Sequence, residues 1–535
     1  MNFDPLYYPH ASKRNIIYAN KGMVAASQPI AAQVGLDMLK KGGNAIDAAI
    51  AVAACLTVVE PTNNGFGGDA FVLVWHQGEL HGLNASGPSP QSISVEKLRE
   101  SGYDKMPSHG WLPVTVPGIP AAWSALSEKF GKLPFAELFE PAIRYAEEGY
   151  AVNPTLGSDW AKLFARYRGE FIGEVYKPLF DTFAPGGSVP GIGELWRSPD
   201  HARTLQLIAE TNAASFYTGE LADQIDQYSR LHGGYLRKED LAAFSPEWVK
   251  PVSINYRGYD IWEMPPNSQG IIPLMALNIL KNYDLTKMSP VDLYHTQLEA
   301  LKLAFADGVN YITQENHMSV TVEQLLSEDY ARHRMKLIGP TAMQPEKGNP
   351  VLGDTVYLAT ADGEGNMVSY IQSNSAAFGS GIVIPGTGIG MQNRGSRFTL
   401  NDNDANRLEP GKKCYHTIIP GFITKDNQPV GPFGVMGGFM QPHGHVQVVC
   451  NTIDFGLNPQ SALDAPRWQW KQDKTIELEY TVPEHLALAL SNRGHDVRRA
   501  VGTFTLGRGQ IIWKMANGVL VGGTEPRTDS SIASW

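Results

Sequence analysis

Two histidines near the end of the chain, His443 and His445, have a type and a spacing that could bind a metal. Side chains two residues apart share one face of a β-strand, and imidazole nitrogens are common zinc ligands. No acidic residue or cysteine stands at ligand spacing beside them, so we interpret both as structural histidines. We therefore predict no metal site and no cofactor.

A glycine pair and a threonine could together support acyl-transfer chemistry. Gly437-Gly438 carries no side chains, so two backbone N–H groups could approach an oxygen that gains negative charge during a reaction. Thr355, in the run Gly353-Asp354-Thr355, offers a hydroxyl, which is a poor nucleophile until a base removes its proton. Most Gly-Asp-Thr sequences simply begin a β-strand, and a lone glycine pair is weak evidence. On these residues alone, the catalytic and the structural interpretations both stay open.

The first elements of the chain are predicted to be two helices and a hairpin. A cap-like run at 27–29 begins one helix, and glycines at 42–43 end it. The second helix, residues 44–57, has alanine, isoleucine and valine on nearly every side, the pattern of a helix buried in the interior. A glycine loop at 63–69 then leads into a predicted β-hairpin at 70–82.

The rest of the chain divides into a helical middle and a strand-rich end. Residues 92–327 are predicted to be mainly helical, with a turn at 256–259 and the strongest helix at 290–310. After residue 347 the sequence changes to short β-rich segments between turns. These predicted strands are residues 355–360, 367–372, 381–384 and 422–424. Helical and strand-rich blocks without a repeat or a low-complexity linker predict a layered α+β fold.

Composition excludes several classes of protein. The chain has 535 residues, of which 43% are hydrophobic, and a formal net charge of -10, so we expect a globular core and no binding to nucleic acid. Cys55, Cys414 and Cys450 lack the spacing of a disulfide framework or a metal site, which is typical of a reducing compartment. No segment has the length and apolarity of a signal peptide or a membrane span. We predict a cytoplasmic protein without a membrane partner.

Several blocks, in the same order along the chain, resemble the γ-glutamyltranspeptidase family. In the first part of the chain they are Ala45-Ile46-Asp47-Ala48-Ala49, Val116-Pro117-Gly118, residues 234–241, Tyr256-Arg257-Gly258-Tyr259 and Met264-Pro265-Pro266. In the second part they are Gly353-Asp354-Thr355, Asp362, Gly365-Asn366, Phe378-Gly379-Ser380 and Gly437-Gly438. Several ordered blocks are far more specific than one motif, and the resemblance covers most of the chain.

The resemblance implies both a fold and a maturation step. The family belongs to the N-terminal-nucleophile hydrolases, so the expected architecture is a four-layer αββα sandwich. The expected autocatalytic cleavage of this zymogen lies between Asp354 and Thr355. It would leave residues 1–354 as the large-subunit region and 355–535 as the small-subunit region, together one compact catalytic unit. Cleavage would release the Thr355 amine, and an α-amino group with a pKa of about 8 is a suitable base for the hydroxyl of the same residue.

The resemblance also assigns roles to individual residues. Ser373 falls where the family has a second hydroxyl that hydrogen-bonds the nucleophile, and the glycine pair falls at the oxyanion loop. The predicted catalytic residues are therefore Thr355, Ser373, Gly437 and Gly438. The predicted substrate-binding residues are Asn84, Ser375, Asn393, Arg394, Arg397, His416 and Thr417. For Ser373, the interpretation as an ordinary strand serine also stays open.

The sequence departs from the family at the substrate anchors. The transpeptidases hold the α-carboxylate of a γ-glutamyl group with an arginine and its α-amino group with an aspartate, but the matching residues here are Asn84 and Arg397. An arginine that faces an ammonium group repels it, so the usual γ-glutamyl pose is not expected. The paired serines of many members are His416 and Thr417 here. The segment 399–413 is shorter than the corresponding segment of family members that carry a lid over the site, which predicts a more open pocket.

These residues lead to three functional hypotheses. The first is a γ-glutamyltransferase or amide hydrolase acting on glutathione-like or related acidic acyl amides. The second is a cephalosporin (glutaryl) acylase, in which Arg394 or Arg397 attracts a carboxylate, although both arginines could instead form ion pairs. The third is an unprocessed homologue without activity. The expected partners are a small-molecule amide and the two chains of the precursor, and the sequence leaves open whether copies form a homo-oligomer.

Overall fold

The structure, a computed structural model, describes residue 4 and residues 7–12, 14–345, 354–500, 502 and 504–535. Gly353, in the predicted cleavage block, lies outside the described residues. The strands are β1 (Ile17–Ala19), β2 (Gly22–Ala26), β3 (Asp69–His76), β4 (Glu79–Ala85), β5 (Tyr150–Ala151), β6 (Leu195–Trp196), β7 (Glu247–Val249), β8 (Val252–Tyr256), β9 (Tyr259–Glu263), β10 (Asp354–Asp362), β11 (Met367–Ser375), β12 (Gly421–Lys425), β13 (Gln428–Met436), β14 (Trp468–Gln472), β15 (Thr475–Leu478), β16 (Asp496–Arg499), β17 (Arg508–Lys514), β18 (Leu520–Thr524) and β19 (Ser531–Ser534).

Helices occupy a large part of the remaining described chain. They are α1 (Pro29–Lys40), α2 (Ala45–Val59), α3 (Val95–Glu100), α4 (Ile119–Phe130), α5 (Glu140–Glu148), α6 (Pro154–Glu170), α7 (Lys177–Phe183), α8 (Pro199–Glu210), α9 (Ala214–Tyr217), α10 (Glu220–Leu231), α11 (Lys238–Ala242), α12 (Ile271–Leu280), α13 (Pro290–Tyr311), α14 (Val322–Leu325), α15 (Glu328–Met335), α16 (Met440–Ile453), α17 (Pro459–Asp464) and α18 (Glu484–Asn492). Short 3₁₀ turns lie at Phe135–Leu138, Glu174–Tyr176, Pro185–Gly187, Leu285–Lys287, Glu315–His317, Arg394–Arg397 and Phe504–Leu506.

Two large antiparallel sheets form the centre of the molecule. Sheet I has the strand order β19-β2-β10-β11-β3-β4-β7, and sheet II has the order β1-β18-β17-β13-β12-β9-β8. Strands β14, β15 and β16 form a smaller sheet, and β5 pairs with β6. Strands β10 and β11 of sheet I contact β13 of sheet II, so the two large sheets lie face to face.

Alternation along β10 explains how the layers are built. Val356 and Leu358 point into a core shared with helices, whereas Tyr357 and Ala359 point into a core between the two sheets. Successive side chains of a strand point to opposite faces, so a strand that is buried on both faces is apolar along its length. A side chain at Gly434 in β13 would overlap the ring of Tyr357, so this glycine lets the sheets approach closely.

Helices cover the outer face of each sheet. On sheet I, α2 is buried along its whole length and packs against α1, α4 and α5. Its N-cap Asn44 accepts hydrogen bonds from the N–H groups of Ile46 and Asp47, where the second helix was predicted to begin. On sheet II, α12, α13 and α16 enclose a second apolar core. The order helix, sheet, sheet, helix is the predicted αββα sandwich. Among the described helices, none combines the length and the apolarity needed to cross a lipid bilayer.

One prediction of secondary structure is wrong, and one region contains strands that were not predicted. Most of residues 92–327 is helical, as predicted, but β7, β8 and β9 also lie within it, and the predicted turn at 256–259 is confirmed as the tight hairpin turn between β8 and β9. The predicted strand at 381–384 is a loop, in which Val383 forms a single bridge with Gly390. The predicted helix at 290–310 is confirmed as α13, and the other predicted strands of the C-terminal part are confirmed as β10, β11 and β12.

Each large sheet contains strands from both sides of the Asp354–Thr355 bond. In sheet I, β2, β3, β4 and β7 come before this bond, whereas β19, β11 and nearly all of β10 come after it. In sheet II, β1, β8 and β9 come before it, and β12, β13, β17 and β18 come after it. A cut at this bond would therefore give two chains whose strands are interleaved in both sheets.

Candidate active site

Thr355 lies at the beginning of β10, where the pairing with β11 is irregular. The register shifts between Asp354 and Val356, so Thr355 occupies a bulge or a comparable irregularity. A bulge changes the direction of a side chain relative to a regular ladder. The Thr355 hydroxyl donates a hydrogen bond to Ser373 Oγ at 3.3 Å, and Thr355 is only 1% exposed. The structure thus brings the predicted nucleophile and the predicted second hydroxyl together in the interior.

Ser373 Oγ is held in place by the end of its own strand. The backbone N–H of Ser375 donates to Ser373 Oγ at 2.7 Å. Ser375 has a φ of 77°, a left-handed conformation that costs a residue with a side chain about 1–2 kcal/mol. The strained backbone at Ser375 therefore keeps an N–H group aimed at the hydroxyl beside Thr355.

A buried carboxylate, Asp69, lies one strand further along sheet I. Asp69 is opposite Ser373 in the pairing of β3 with β11 and is completely buried. Its carboxylate accepts hydrogen bonds from Gln392 Nε2 at 2.8 Å and His416 Nε2 at 2.9 Å, and Arg394 Nε lies 3.8 Å away. Burial raises the pKa of Asp69 to about 7, although Arg394 and the hydrogen bonds favour the charged form. We did not predict this residue, because an aspartate after a glycine loop usually belongs to a turn.

His416 is a neutral hydrogen-bond donor to this carboxylate. Its Nδ1 accepts the backbone N–H of Ile418 at 3.4 Å, which places the ring proton on Nε2, facing Asp69. Burial, followed by the charge of Arg394, lowers the pKa of His416 well below its usual value. The ring also packs edge-on against Phe71, with 4.7 Å between the ring centroids. His416 is therefore a fixed donor near neutral pH.

Arg394 is a fully buried cation beside Asp69. Its Nη1 donates a hydrogen bond to Thr417 Oγ1 at 2.7 Å. Burial lowers the pKa of Arg394, and the charge of Asp69 opposes that effect. Within the described part of the chain, Nε and Nη2 of Arg394 have no hydrogen-bond partner. Buried N–H groups without a partner cost free energy, so they often mark a place where solvent or a ligand binds.

Arg397, at the end of the same 3₁₀ turn, lines a cavity of about 210 Å³. Tyr415 and Phe439 belong to the same cavity wall, and the Arg397 guanidinium lies 5.0 Å from the centre of the Phe439 ring. Burial, followed by repulsion from Arg394, lowers the pKa of Arg397 to about 10. Arg397 is therefore still charged at neutral pH, on the wall of a small cavity.

The loop after Arg397 forms another wall of this cavity, through Thr399, Asp404 and Asn406. Asn406 Nδ2 donates to the Arg397 carbonyl at 2.7 Å, which folds the loop back onto the cavity. The Asp404 carboxylate accepts the Asn406 N–H at 2.8 Å. The segment that we predicted to leave the pocket open thus places a carboxylate and a guanidinium on the same cavity.

The glycine pair follows β13 and adjoins the cavity through Phe439. Gly437 and Gly438 have φ angles of 132° and 63°, which favour glycine. Gln269 Nε2 donates to the Gly438 carbonyl at 3.0 Å and to the Thr417 carbonyl at 2.5 Å. Gln269, which we did not predict, therefore ties the predicted oxyanion loop to the predicted substrate-binding segment. No motif in the sequence distinguishes it from other glutamines.

The amides of Asn84 and Asn393 are used to hold loops together. Asn84 Nδ2 donates to Asn267 Oδ1 at 3.0 Å, and Asn84 Oδ1 accepts the N–H of Ser86 at 3.0 Å. Asn393 Oδ1 accepts the N–H of Ala376 at 3.0 Å, just beyond the end of β11. Both residues lie near the other predicted site residues, but their amides are engaged within the protein.

His443 and His445 lie on helix α16 and not on a strand, so they do not share a face as residues two apart on a strand would. Residues two apart on a helix point in different directions. His443 Nδ1 lies 3.0 Å from the Phe439 carbonyl, and its Nε2 accepts the N–H of Trp470 at 3.0 Å. His445 Nδ1 lies 2.6 Å from the carboxylate of Glu263. The two rings are thus engaged in separate internal contacts.

Another cluster, His295, Glu299 and His495, brings together three side chains of metal-ligating type within 4.8 Å. The Lys302 ammonium lies in the same cluster, 2.7 Å from Glu299 Oε1 and 3.5 Å from His495 Nδ1. His495 Nε2 faces His295 Nδ1 at 2.9 Å, and His295 Nε2 faces the Gly339 carbonyl at 2.9 Å. One direction of donation, from lysine to His495 to His295 to the carbonyl, satisfies every ring nitrogen. Lys302 is thus the cation of this cluster, which we call the α13 clamp.

An αββα sandwich with a threonine at the start of a central strand is the architecture of the N-terminal-nucleophile hydrolases. The family comparison then specifies the group. The chain belongs to the gamma-glutamyltranspeptidase family, whose model matches residues 31–535. The family and the fold predicted from the sequence are therefore confirmed, and the family places the chain among hydrolases and transferases that act on amides.

Individual relatives match along nearly their whole length. A cephalosporin acylase from Bacillus halodurans has a solved structure that is 59% identical, with a TM-score of 0.96, and the match covers 100% of this chain and 99% of that one. The glutathione hydrolase-like YwrD proenzyme of Bacillus subtilis is 36% identical over 96% of this chain and 98% of its own length. The oxamate amidohydrolase proenzyme of Klebsiella pneumoniae is 32% identical over 96% and 98%, respectively.

Proposed function

We propose that this chain is a self-cleaving amide hydrolase that uses Thr355 as its nucleophile and prefers acyl groups with a free carboxylate. The observation that carries the proposal is the Thr355–Ser373 contact of 3.3 Å at the irregular start of β10. The alternatives are a hydrolase or transferase for γ-glutamyl compounds and a homologue without activity. The names of the relatives, which include proenzymes and an acylase, support an amide-cleaving enzyme made as a precursor.

Maturation would begin with attack of Thr355 Oγ on the carbonyl carbon of Asp354. The C–N bond breaks, the hydroxyl proton passes to the new amine, and the acyl group of Asp354 becomes an ester of Thr355. Water then hydrolyses the ester and leaves the chains 1–354 and 355–535 as two subunit regions. The burial of Thr355 supports this order, because an external amide cannot reach a side chain that is 1% exposed in the uncut chain.

Turnover would use the same residue as base and nucleophile. The free amine of Thr355 accepts the hydroxyl proton, and the oxygen attacks the substrate carbonyl. The substrate C–N bond then breaks, the leaving amine takes that proton, and the acyl group stays on Thr355 as an ester, the acyl-enzyme. Ser373 orients the attacking oxygen, and the N–H groups of the Gly437-Gly438 loop stabilise the oxyanion, which typically contributes about 3–4 kcal/mol. Water or an amine releases the acyl group, which gives hydrolysis or transfer.

The cavity beside the glycine loop supports the preference for acidic acyl groups. Arg397 presents a charged guanidinium on a cavity of about 210 Å³, and Phe439 connects that cavity directly to Gly438. A guanidinium binds a carboxylate through charge-assisted hydrogen bonds, each stronger than a neutral one. A short acyl chain ending in a carboxylate, such as glutaryl, fits this arrangement.

Asp404 supports the γ-glutamyl hypothesis as the second candidate. It lies on the same cavity as Arg397, and its carboxylate could accept the α-ammonium group that a glutaryl chain lacks. Because Asp404 is exposed, its attraction for an ammonium would be screened by water and weaker than that of Arg397 for a carboxylate.

Intact-mass analysis of the wild type and of Thr355→Ala tests the maturation step. We expect masses for 1–354 and 355–535 in the wild type alone, and an intact wild type would contradict the proposal and favour the inactive homologue.

The substrate preference is tested with the cut enzyme, which is given glutaryl, pentanoyl and γ-glutamyl p-nitroanilides. Arg397→Met should lower kcat/KM for the glutaryl substrate about 10- to 100-fold and leave the pentanoyl substrate within about twofold. A γ-glutamyl rate above the glutaryl rate, lost in Asp404→Asn, would support the second candidate.

For location, we keep the cytoplasm as our proposal. The three cysteines are buried as free thiols, which fits a reducing compartment. Cell fractionation followed by detection of the cut chains tests this assignment.

A further inference from the structure

The buried pair of Asp69 and Arg394 has no role in the reaction steps above, yet it lies next to two residues that do, Ser373 and Arg397. Asp69 is the cross-strand neighbour of Ser373, and Arg394 is in the same 3₁₀ turn as Arg397. Both side chains have no exposed surface. Charges in such surroundings interact more strongly and over longer distances than charges in water.

Each oxygen of Asp69 has a fixed donor. Oδ1 accepts Gln392 Nε2 at 2.8 Å and the N–H of Gly87 at 3.3 Å, and Oδ2 accepts His416 Nε2 at 2.9 Å. These donors come from three separate segments around β3, so the carboxylate has little freedom to move. Arg394 Nε is 3.8 Å away, which is an ion-pair contact rather than a hydrogen bond.

We propose that Asp69 is a positioning residue that holds Arg394 close to Arg397, which lines the cavity of about 210 Å³, and that the protonation of Asp69 controls how strongly this cavity attracts an anionic acyl group. This inference rests on the proposed function. When Asp69 is ionised, the buried pair with Arg394 is neutral. When Asp69 is protonated, Arg394 contributes an uncompensated positive charge next to Arg397. The site therefore favours carboxylate-bearing substrates more strongly in the second state.

Of the groups in and around the Asp69–Arg394 pair, Asp69 is the one expected to change its protonation near neutral pH. Burial raises the pKa of Asp69 to about 7. It lowers the pKa of His416 well below its usual value, raises that of Tyr217 and raises that of Cys414 to about 12, so these three groups stay neutral between pH 6 and pH 8. Arg394 and, at a greater distance, Lys413 supply the positive charge that acts on Asp69.

The measured quantity is the ratio of kcat/KM for a glutaryl p-nitroanilide to that for the pentanoyl analogue, followed from pH 8 to pH 6 with the cut enzyme. The ratio cancels the titration of the Thr355 amine, which affects both substrates. In the wild type we expect the ratio to rise about tenfold as the pH falls, the effect of one nearby charge in a partly desolvated site. A constant ratio in the wild type overturns the inference, with no variant needed.

Asp69→Asn keeps the size of the side chain and removes its charge. We expect the ratio in this variant to be independent of pH and close to the wild-type value at pH 6. At pH 8 the variant should therefore prefer the glutaryl substrate more strongly than the wild type does. A purely structural role would lower both rates and leave the pH course of the ratio unchanged, which would overturn the inference. Asp402→Asn is the matched control, because Asp402 is exposed and pairs with Arg99 at 3.2 Å. If the cut wild type hydrolyses neither substrate, the proposed function fails instead.

Discussion

The hydroxyl of Ser373 has two neighbours that matter for chemistry, the Thr355 hydroxyl and the N–H of Ser375. Ser373→Ala removes the acceptor for both. We expect self-cleavage to slow about tenfold, because a single hydrogen bond to the nucleophile contributes about 0.5–1.5 kcal/mol. A time course of the intact mass measures the rate. Ser373→Thr, which keeps a hydroxyl, is the control, and equal cleavage rates in Ser373→Ala and wild type would contradict the role.

At the level of residues, the sequence identified groups that belong to a family motif and missed groups that act through packing. Thr355 and Ser373 were predicted from ordered blocks, and the structure places them 3.3 Å apart. Asp69 and Gln269 were missed, because their importance comes from burial and from partners more than 100 positions away in the chain. A sequence pattern over a short window carries no information about such partners.

Among the secondary-structure elements, helix α13 is expected to be stabilised by the buried cluster that we call the α13 clamp. Glu299 and Lys302 have no exposed side-chain surface and lie 2.7 Å apart, and Glu299 Oε2 accepts the N–H of Met343 at 3.0 Å. Lys302→Met leaves the Glu299 carboxylate buried without its cation, which typically costs about 3–5 kcal/mol. We expect that loss in the free energy of unfolding, measured by urea titration of chains kept intact by Thr355→Ala.

The double variant Glu299→Met with Lys302→Met is the matched control for this prediction. It removes both charges, and replacement of a buried ion pair by apolar side chains is often neutral or stabilising. We expect it to recover most of the stability lost in Lys302→Met. Equal losses in the single and double variants would mean that the hydrogen bonds to the 339–343 segment, and not the buried charge, dominate.

The sequence predicted helices better than short strands, for a physical reason. Helix α2 has an N-cap and a long apolar run, and its N-cap is Asn44, the residue at which the helix was predicted to begin. Strands β8 and β9 are five residues each and only partly buried, so their alternation is weak. A signal was nevertheless present, because Arg257-Gly258 separates the two segments by only two residues. Their φ angles of 52° and 84° are those of common two-residue hairpin turns.

At the scale of the whole molecule, the interleaved sheets predict different refolding behaviour before and after the cut. Uncut Thr355→Ala is one chain, so its refolding from urea should be first order and independent of protein concentration. The cut wild type must bring two chains together, so its yield and rate should fall as the protein is diluted. Refolding followed by tryptophan fluorescence at several concentrations measures both. If the refolding of the cut wild type depended on concentration no more than that of uncut Thr355→Ala, one of the two regions would fold and keep its structure without the other.

The arrangement of strands from both sides of Thr355 within each sheet also means that the proposed cut would make the folding of the precursor different from the stability of the mature protein. Before the cut, the polypeptide connection keeps every strand near its neighbours, and the fold can be lost and regained. After the cut, an unfolded molecule releases two fragments into a dilute solution, where re-encounter competes with degradation. The lifetime of the mature protein is then set by how slowly it unfolds and no longer by an equilibrium between folded and unfolded forms. Cleavage of the bond before Thr355 would thus end the period in which an unfolded molecule can readily refold.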